Sequence, residues 1–506
     1  MAFRQRAGAD GKAIRMMLTR TEIRKSLEVA GPLSGDCELS DPVAWADLLA
    51  HPEATTRAVQ ARLADGRSPH RGEVFRWPKE AGGYRPMAWL DPLDQMIYRG
   101  TVGRLLTPIA ASVDDTSVLS SRVVSQPPGW QLERWRKPIG ERRRRGLEML
   151  VDHKVMGMLD VRNFFPSVTR KALEDTVGVL PIHQPTFDFV LDWLDELNEV
   201  SGIGGLPTGH QPSHVLANGV LVPCDDLLSS LGVPFVRYVD DTWFFVDSCD
   251  EFEEIVEAYG RLLSDVGLKL HPTKTTFAEG AEALNAIERF AITYLEDMLD
   301  EPGPEGRVAG LELFEWSMEE PAARKTELRR SLRALAMHRD PRPLEILRGD
   351  RDLLRVAPRH WVKYLCSMMA AKPTRRLVGE GWLVKELTRT ANKDDAYTNL
   401  LFMEVASKVR LSKDLGQAVF DSIATNRSAW CAPLRVRGAH VWGRSGAYNP
   451  NVAVEQVELH GDLATRRAFA LTLRTKSSDP KAAARLRRVR LADPELEPTA
   501  RWLEAA

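Results

Sequence analysis

The sequence predicts an α+β fold followed by an all-α C-terminal region, and three observations carry that reading. Two apolar, β-prone runs, Phe235-Val236-Arg237-Tyr238-Val239 and Thr242-Trp243-Phe244-Phe245-Val246, flank the adjacent acids Asp240 and Asp241 and read as a tight hairpin with the acids at or near its turn. A further apolar strand, Val155-Met156-Gly157-Met158-Leu159, ends in a single acid, Asp160. Beyond about residue 307 the pattern turns helical, with apolar positions at three- and four-residue steps in Leu328 to Met337, Trp361 to Ala371, Trp382 to Thr390 and Asn399 to Val409.

The acids define the chemistry. Neighbouring carboxylates between hydrophobic residues repel each other and resist desolvation, a cost of about several kcal/mol that a cation removes. Hard oxygen ligands suit Mg²⁺ or Mn²⁺. An Asp-Asp pair alone is better explained as a solvated turn. With Asp160 added, three acids from two strands could hold two ions, one lowering the pKa of an attacking 3′-hydroxyl and one steadying a leaving pyrophosphate.

At these residues the chain resembles the reverse transcriptases. The Asp160 strand with Phe164, Phe165 and Ser167 is similar to motif A of that family, and Tyr238-Val239-Asp240-Asp241 to motif C. Between them, Gly204-Gly205-Leu206-Pro207-Thr208-Gly209-His210-Gln211-Pro212-Ser213 with Leu216-Ala217-Asn218 is similar to motif B. The resemblance implies a right-hand polymerase, with fingers and an antiparallel palm sheet backed by helices. It implies fingers with N-terminal helices over 1–150, a palm over 151–300 and an α-helical domain over 307–506 in place of a thumb, either a bundle or an irregular α-repeat.

Length and composition are compatible. A chain of 506 residues exceeds what one core usually supports. With 69 basic and 70 acidic residues, net charge neither announces nor excludes nucleic acid. Cysteines 37, 224, 249, 366 and 431 form no Cys-x-x-Cys pair, which favours reduced thiols over a disulfide or zinc framework. No segment reaches the length of an apolar membrane span, so the expectation is a soluble, cytoplasmic protein without a membrane partner.

Taken in order, residues 14–65 read as helices, one opened by Asp41-Pro42 with Val43, Trp45, Leu48 and Leu49 as its stripe and another by Pro52-Glu53. Val74 to Met87 reads as two short strands joined by Gly82-Gly83, with Lys79 and Arg85 on the arms. Two such cations could neutralise a triphosphate or could be surface charges; the resemblance to fingers motifs assigns them to the incoming deoxynucleoside triphosphate. Ile97, Val102, Leu105, Leu106 and Ile109 mark a helix against a sheet. The run Trp130 to Arg145, ending in Arg142-Arg143-Arg144-Arg145, is a solvated helix face or a contact with template phosphates. Phe187, Val190, Leu191, Leu194 and Leu197 define another packed helix, as do Phe252, Ile255, Tyr259 and Leu263. The glycines at 202, 204, 205 and 209 match neither a Walker nor a Rossmann pattern and are read as letting backbone approach a base pair closely. Glu301 to Gly306 reads as a linker or long turn, and the tail with Lys481, Arg485, Arg487, Arg488 and Arg490 as a basic patch for a nucleic-acid strand or a solvated helix.

The resemblance assigns roles. Asp160, Asp240 and Asp241 are the catalytic acids, and Asp160, Val161, Asp240 and Asp241 hold two Mg²⁺ ions, with Mn²⁺ as a substitute. Lys274 is the candidate general acid, a surface lysine being the alternative. Phe165, five residues after Asp160, is the wall that rejects a ribose 2′-hydroxyl, and Thr208 and Gly209 lie under the nascent base pair. Ser120-Ser121-Arg122 stands where intron-type enzymes carry a Gly-Phe-Arg-Pro-Gly-Arg-like block, and no RNase H block, retron Val-Thr-Gly or endonuclease cluster is seen. A palm followed by a helical region resembles the abortive-infection and defence-associated bacterial reverse transcriptases. That group implies DNA synthesis against phage, sometimes untemplated, sometimes primed from a protein hydroxyl so that the DNA stays covalently attached, in a homo-oligomer acting on deoxynucleotides with an RNA template or non-coding RNA. Tyr364, Tyr397 and Tyr448 are conceivable primers, ordinary core or surface tyrosines being the alternative. The rival readings are a reverse transcriptase of a mobile, retron or diversity-generating element, and a non-catalytic RNA-binding scaffold.

Overall fold

The computed structural model describes residues 18–34, 41, 45–66, 68–70, 72–78, 84–133, 136–288, 299, 303–371, 374, 377–391, 396–408, 412–425, 432–473 and 481–505. Among the described residues, eight strands lie in three small antiparallel sheets between many helices, in keeping with an α+β chain. β1 (Glu73–Pro78) pairs with β2 (Tyr84–Trp89), and β3 (Val123–Ser125) with β4 (Gln131–Leu132). The central sheet holds β5 (Val155–Asp160), β6 (Phe235–Tyr238), β7 (Asp241–Val246) and β8 (Thr276–Glu279) in the order β6-β7-β5-β8.

The central strands are apolar on both faces because helices cover both. Side chains of successive residues point to opposite faces. Val155, Leu159, Phe235, Phe244 and Val246 pack with residues of the helices Pro92–Ala111, Gln184–Ser201, Gln211–Val220 and Cys249–Asp265. Met156, Val236, Phe245 and Ala278 pack instead with Leu147 and Leu150 of the helix Arg136–Asp152 and Ala283 and Ile287 of Gly280–Glu288. Register on β5 depends on Gly157, because a Cβ there would lie 2.2 Å from the Phe244 ring. Phe244 in turn stacks on Phe252, with ring centroids 5.7 Å apart.

The second large core joins distant parts of the chain. Ile23, Leu27, Trp45, Val59, Phe75 and Met87 pack into the same apolar cluster as Leu328, Trp361, Phe402, Trp442, Phe469 and Leu503. The N-terminal helices and the base of the β1–β2 hairpin therefore share their core with the C-terminal helices. Trp77 meets Tyr397 edge-on at 4.9 Å, and Glu73 accepts from Arg435 at 2.7 Å.

Buried ion pairs cross the same boundary. Arg62, 1% exposed at its side chain, faces Asp91 at 2.7 Å, Asp94 at 3.1 Å and also Glu495. Burial, reinforced by Asp91, pushes Asp94 up to about 8. Arg467 likewise pairs with Asp41 at 2.6 Å and with Asp47.

Several local expectations are corrected. The helix expected at Asp41-Pro42 begins at Ala46, and Asp41 serves as a partner of Arg467 instead of a helix cap. Of the expected linker, Glu301 and Pro302 lie outside the described residues, while Gly303 precedes the helix Pro304–Glu319 with Pro304 in its first turn. In the basic tail, Arg488 pairs with Glu458 at 2.6 Å and Arg490 with Glu504 at 2.5 Å, so these two cations are occupied within the chain. No helix among the described residues is long and apolar enough to cross a membrane.

Arg62→Ala should lower stability by on the order of 3 to 5 kcal/mol, because it leaves buried carboxylates uncompensated. Thermal melting checks this, and an unchanged melting temperature would contradict the structural role given to Arg62.

Candidate active site

The three acids meet at one end of the central sheet. β5 and β7 run antiparallel with Asp160 directly opposite Asp241. β6 and β7 pair down to Tyr238 opposite Asp241, leaving Val239 and Asp240 as a two-residue turn. Asp240 also accepts a main-chain hydrogen bond from Val161 N–H at 3.3 Å, and the Asp160 carbonyl accepts from His271 N–H at 2.7 Å. The register therefore sets the acids side by side without any help from their side chains.

The turn is strained. Val239 has φ 61°, a left-handed conformation that a β-branched residue adopts at a cost of roughly 1–3 kcal/mol. Its surroundings hold it there. Val239 N–H donates to Ser120 Oγ at 2.8 Å, and Arg237 donates to the Val239 carbonyl at 2.9 Å. Arg237 is fully buried and doubly bonded to Asp225 at 2.7 and 2.5 Å, and it also donates to Asn218 Oδ1 at 3.2 Å. Asn218 completes the ring by donating to the Ser120 carbonyl at 3.1 Å.

Charge is balanced unevenly across the acids. Lys274 Nζ lies 2.7 Å from Asp160 Oδ2. Arg142 meets Asp241 with both arms, at 2.7 and 3.0 Å, while its guanidinium lies 3.7 Å over the Trp243 ring. Asp240 is pushed up to about 6, chiefly by burial and then by the charge of Asp160. Of the three acids, Asp240 is the one the protein's own cations compensate least.

Among the described residues, no three His, Cys, Asp or Glu side chains converge closely enough to hold a metal ion. Asp160 lies against Lys274 and Asp241 against Arg142, each at 2.7 Å. Val161 enters only through its buried side chain and main chain. The donor set nevertheless fits a hard divalent cation: it is all carboxylate, drawn from adjacent strands, and contains an acid whose charge is poorly compensated.

The remaining predicted residues surround this end. Phe165 is half-buried and meets His214 edge-on at 4.8 Å. His210 and His214 are both pushed down to about 4, chiefly by burial, so both are neutral near pH 7. The loop before the helix Gln211–Val220 ties two regions together: Leu206 N–H donates to the Phe165 carbonyl at 2.8 Å, and Ala88 N–H of β2 donates to the Thr208 carbonyl at 3.1 Å. Gly205, φ 62°, has no room for a Cβ, which would lie 2.4 Å from the Phe165 carbonyl oxygen. The close approach that requires glycine at 205 is thus to the backbone beneath Phe165, where a base pair was expected. Gly209 sits against Met87. Arg85 is exposed on β2 in register with Trp77, and no described contact joins it to the acids. Lys79 lies outside the described residues.

Sequence reasoning missed four participants. Arg142 was visible only as one of four arginines in a row. Ser120 acts through Val239, more than a hundred residues along the chain, and nothing in the sequence marked the Arg237–Asp225 pair.

The fold and site define a chain with a mixed helix-and-sheet catalytic region that gathers carboxylates suited to metal-assisted chemistry. Residues 77–303 match the family described as reverse transcriptase (RNA-dependent DNA polymerase). The chain therefore contains a reverse transcriptase domain, and the enzyme class of that family is RNA-directed DNA polymerase, a nucleotidyltransferase acting on nucleotides with an RNA template and a DNA product. Such domains generally use divalent metal ions, typically Mg²⁺. Comparison with curated protein sequences finds no match.

Because Asp240 binds its proton more tightly folded than unfolded, its contribution favours folding below about pH 4 and is lost as pH rises through about 6. In metal-free buffer Asp240→Asn should therefore be more stable than the parent near pH 8, by on the order of 2 to 3 kcal/mol, with the gap closing towards about pH 4. Denaturation at both pH values checks this; a gap independent of pH would contradict it.

Proposed function

We propose that the chain is a right-hand DNA polymerase that copies RNA with deoxynucleotides and acts in antiphage defence by abortive infection. In this reading the β1–β2 hairpin belongs to the fingers, the central sheet is the palm, and the helices after Pro304 stand in place of a thumb. The observation that carries it is the register that sets Asp160 opposite Asp241 with Asp240 on the adjoining turn. Divalent ions bound to these carboxylates would supply activation of a primer 3′-hydroxyl and stabilisation of charge on the departing pyrophosphate.

The chain's own residues would do the rest. Asp160, Asp240 and Asp241, with Val161, would hold the ions. Lys274, 2.7 Å from Asp160, would give its proton to the leaving pyrophosphate. Arg85 and Lys79 would bind the triphosphate, and Thr208 and Gly209 would lie under the new base pair. Phe165, braced by His214, would present a flat wall to the sugar.

The defence role rests on the resemblance and on the helical region after the catalytic domain. An RNA template or non-coding RNA, a DNA product and assembly into a homo-oligomer in the cytoplasm belong to the same reading. Protein priming finds less support: Tyr364 is buried with its hydroxyl on the Asp340 carbonyl at 2.5 Å, and Tyr397 is buried against Trp77. Tyr448 is half-buried.

Asp240→Ala with Asp241→Ala should reduce deoxynucleotide incorporation by on the order of 10³-fold or more and abolish protection in a phage plating assay. Retained incorporation would overturn the polymerase reading, and retained protection the claim that defence depends on it. Phe165→Ala should raise the ratio of ribonucleotide to deoxynucleotide incorporation by roughly tenfold or more in primer extension; an unchanged ratio would remove Phe165 from sugar selection.

A further inference from the structure

A loop at the edge of the central sheet, residues 114–122, has no task in the polymerase chemistry proposed, yet it reaches the acid site from outside. Val118 forms a parallel bridge with Arg237 of β6. Leu119 N–H donates to the Arg237 carbonyl at 2.9 Å, and Arg237 N–H donates to the Ser117 carbonyl at 2.9 Å. The loop thus adds one short bridge beyond β6. Ser120, 2% exposed, then sets its hydroxyl against the turn that carries Asp240.

The loop is itself held. Asp114 accepts from Thr116 N–H at 2.9 Å, and Val118 N–H donates to the Asp114 carbonyl at 2.8 Å. Ser121 is left-handed at φ 57°, and Arg122 turns back to donate to the Val118 carbonyl at 3.3 Å and to Glu141 at 2.6 Å. Glu141 precedes Arg142, the partner of Asp241. One loop therefore bears on two neighbours of the acids, the Val239–Asp240 turn and the helix Arg136–Asp152.

Peptide planes explain why a single hydroxyl matters. Each peptide unit is planar, so the place of Asp240 follows from the two planes flanking Val239 and the torsions between them. Ser120 Oγ fixes the first plane by accepting from Val239 N–H at 2.8 Å, and Arg237 fixes the second by donating to the Val239 carbonyl at 2.9 Å. Between them Val239 is kept at φ 61°, a conformation that a β-branched residue holds only under restraint. The tie from Asp240 to β5 is longer, 3.3 Å from Val161 N–H. Without Ser120 the first plane is free to turn, Val239 relaxes towards extended backbone, and the Asp240 carboxylate leaves its place beside the other two acids.

We infer that Ser120 is a positioning residue for Asp240: a hydrogen bond made outside the acid site sets the affinity of that site for divalent ions. That these ions serve nucleotidyl transfer rests on the polymerase reading; the dependence of ion binding on Ser120 does not.

The test is Mn²⁺ titration of the full chain followed by electron paramagnetic resonance, with deoxynucleotide incorporation measured across Mg²⁺ concentrations. Ser120→Ala should bind Mn²⁺ roughly tenfold or more weakly. Half-maximal incorporation should need correspondingly more Mg²⁺, while the KM for deoxynucleotide stays at the parent value. Ser120→Cys keeps nearly the same volume with a weaker acceptor, so it should shift the same way to a smaller degree, and it decides the matter where the alanine variant does not fold. Loss of stability alone would lower the number of ions bound and leave their affinity unchanged. That result, or parent-like affinity in the folded variants, would overturn the positioning role. Ser120-dependent Mn²⁺ binding in a parent protein that incorporates no nucleotide would uphold it and sink the polymerase reading. Incorporation with an unchanged Mg²⁺ requirement in both variants would sink the positioning role alone.

Discussion

The constraint on which the rest depends is the repulsion among three carboxylates that strand register forces to one end of a sheet. Asp160 and Asp241 face each other as a cross-strand pair, and Asp240 stands on the turn between β6 and β7. Like charges directly opposite on antiparallel strands are destabilising. The protein contains the conflict with cations of its own, Lys274 on Asp160 and Arg142 on Asp241, and leaves Asp240 inclined to keep its proton. The strained Val239 turn persists because Ser120 and the buried Arg237–Asp225 pair hold it from behind. In the proposed reading, divalent cations would take the place of these internal partners at the acids.

Much of this was legible in the sequence because the signals were local. Continuous apolar, β-prone runs marked β5, β6 and β7, and the acids marked their ends. Apolar residues at three- and four-residue steps gave the helices Gln184–Ser201 and Cys249–Asp265. What stayed hidden was long-range. Helical phase alone decides that Arg142, out of four consecutive arginines, turns inward to Asp241, and no composition argument distinguishes it. Gly205 shows that a need for glycine can be read without its cause: the sequence suggested a base pair, and the atoms in the way belong to the Phe165 backbone. Pro304 illustrates the reverse error, a residue taken for linker that sits comfortably in a first helical turn.

Least legible was the partnership between the two ends of the chain. Phe75 and Met87 on the β1–β2 hairpin share a core with helices that begin some hundreds of residues later, and Glu73 and Arg435 close an ion pair across the same seam. Burial against distant sequence leaves no periodicity by which to find it. The consequence is mechanical: the hairpin that carries Arg85 is braced at its base by the C-terminal helices, while its far strand bonds to the Thr208 loop beside Phe165. Any partner that shifts those helices would act on both sides of the acid site at once.

The central claim is that the acids exchange protein cations for divalent ones. Electron paramagnetic resonance during Mn²⁺ titration tests it most directly. The account predicts Mn²⁺ bound by the parent protein and lost in Asp240→Asn and in Asp160→Asn, each still folded. Binding of equal strength and stoichiometry in all three proteins would contradict it.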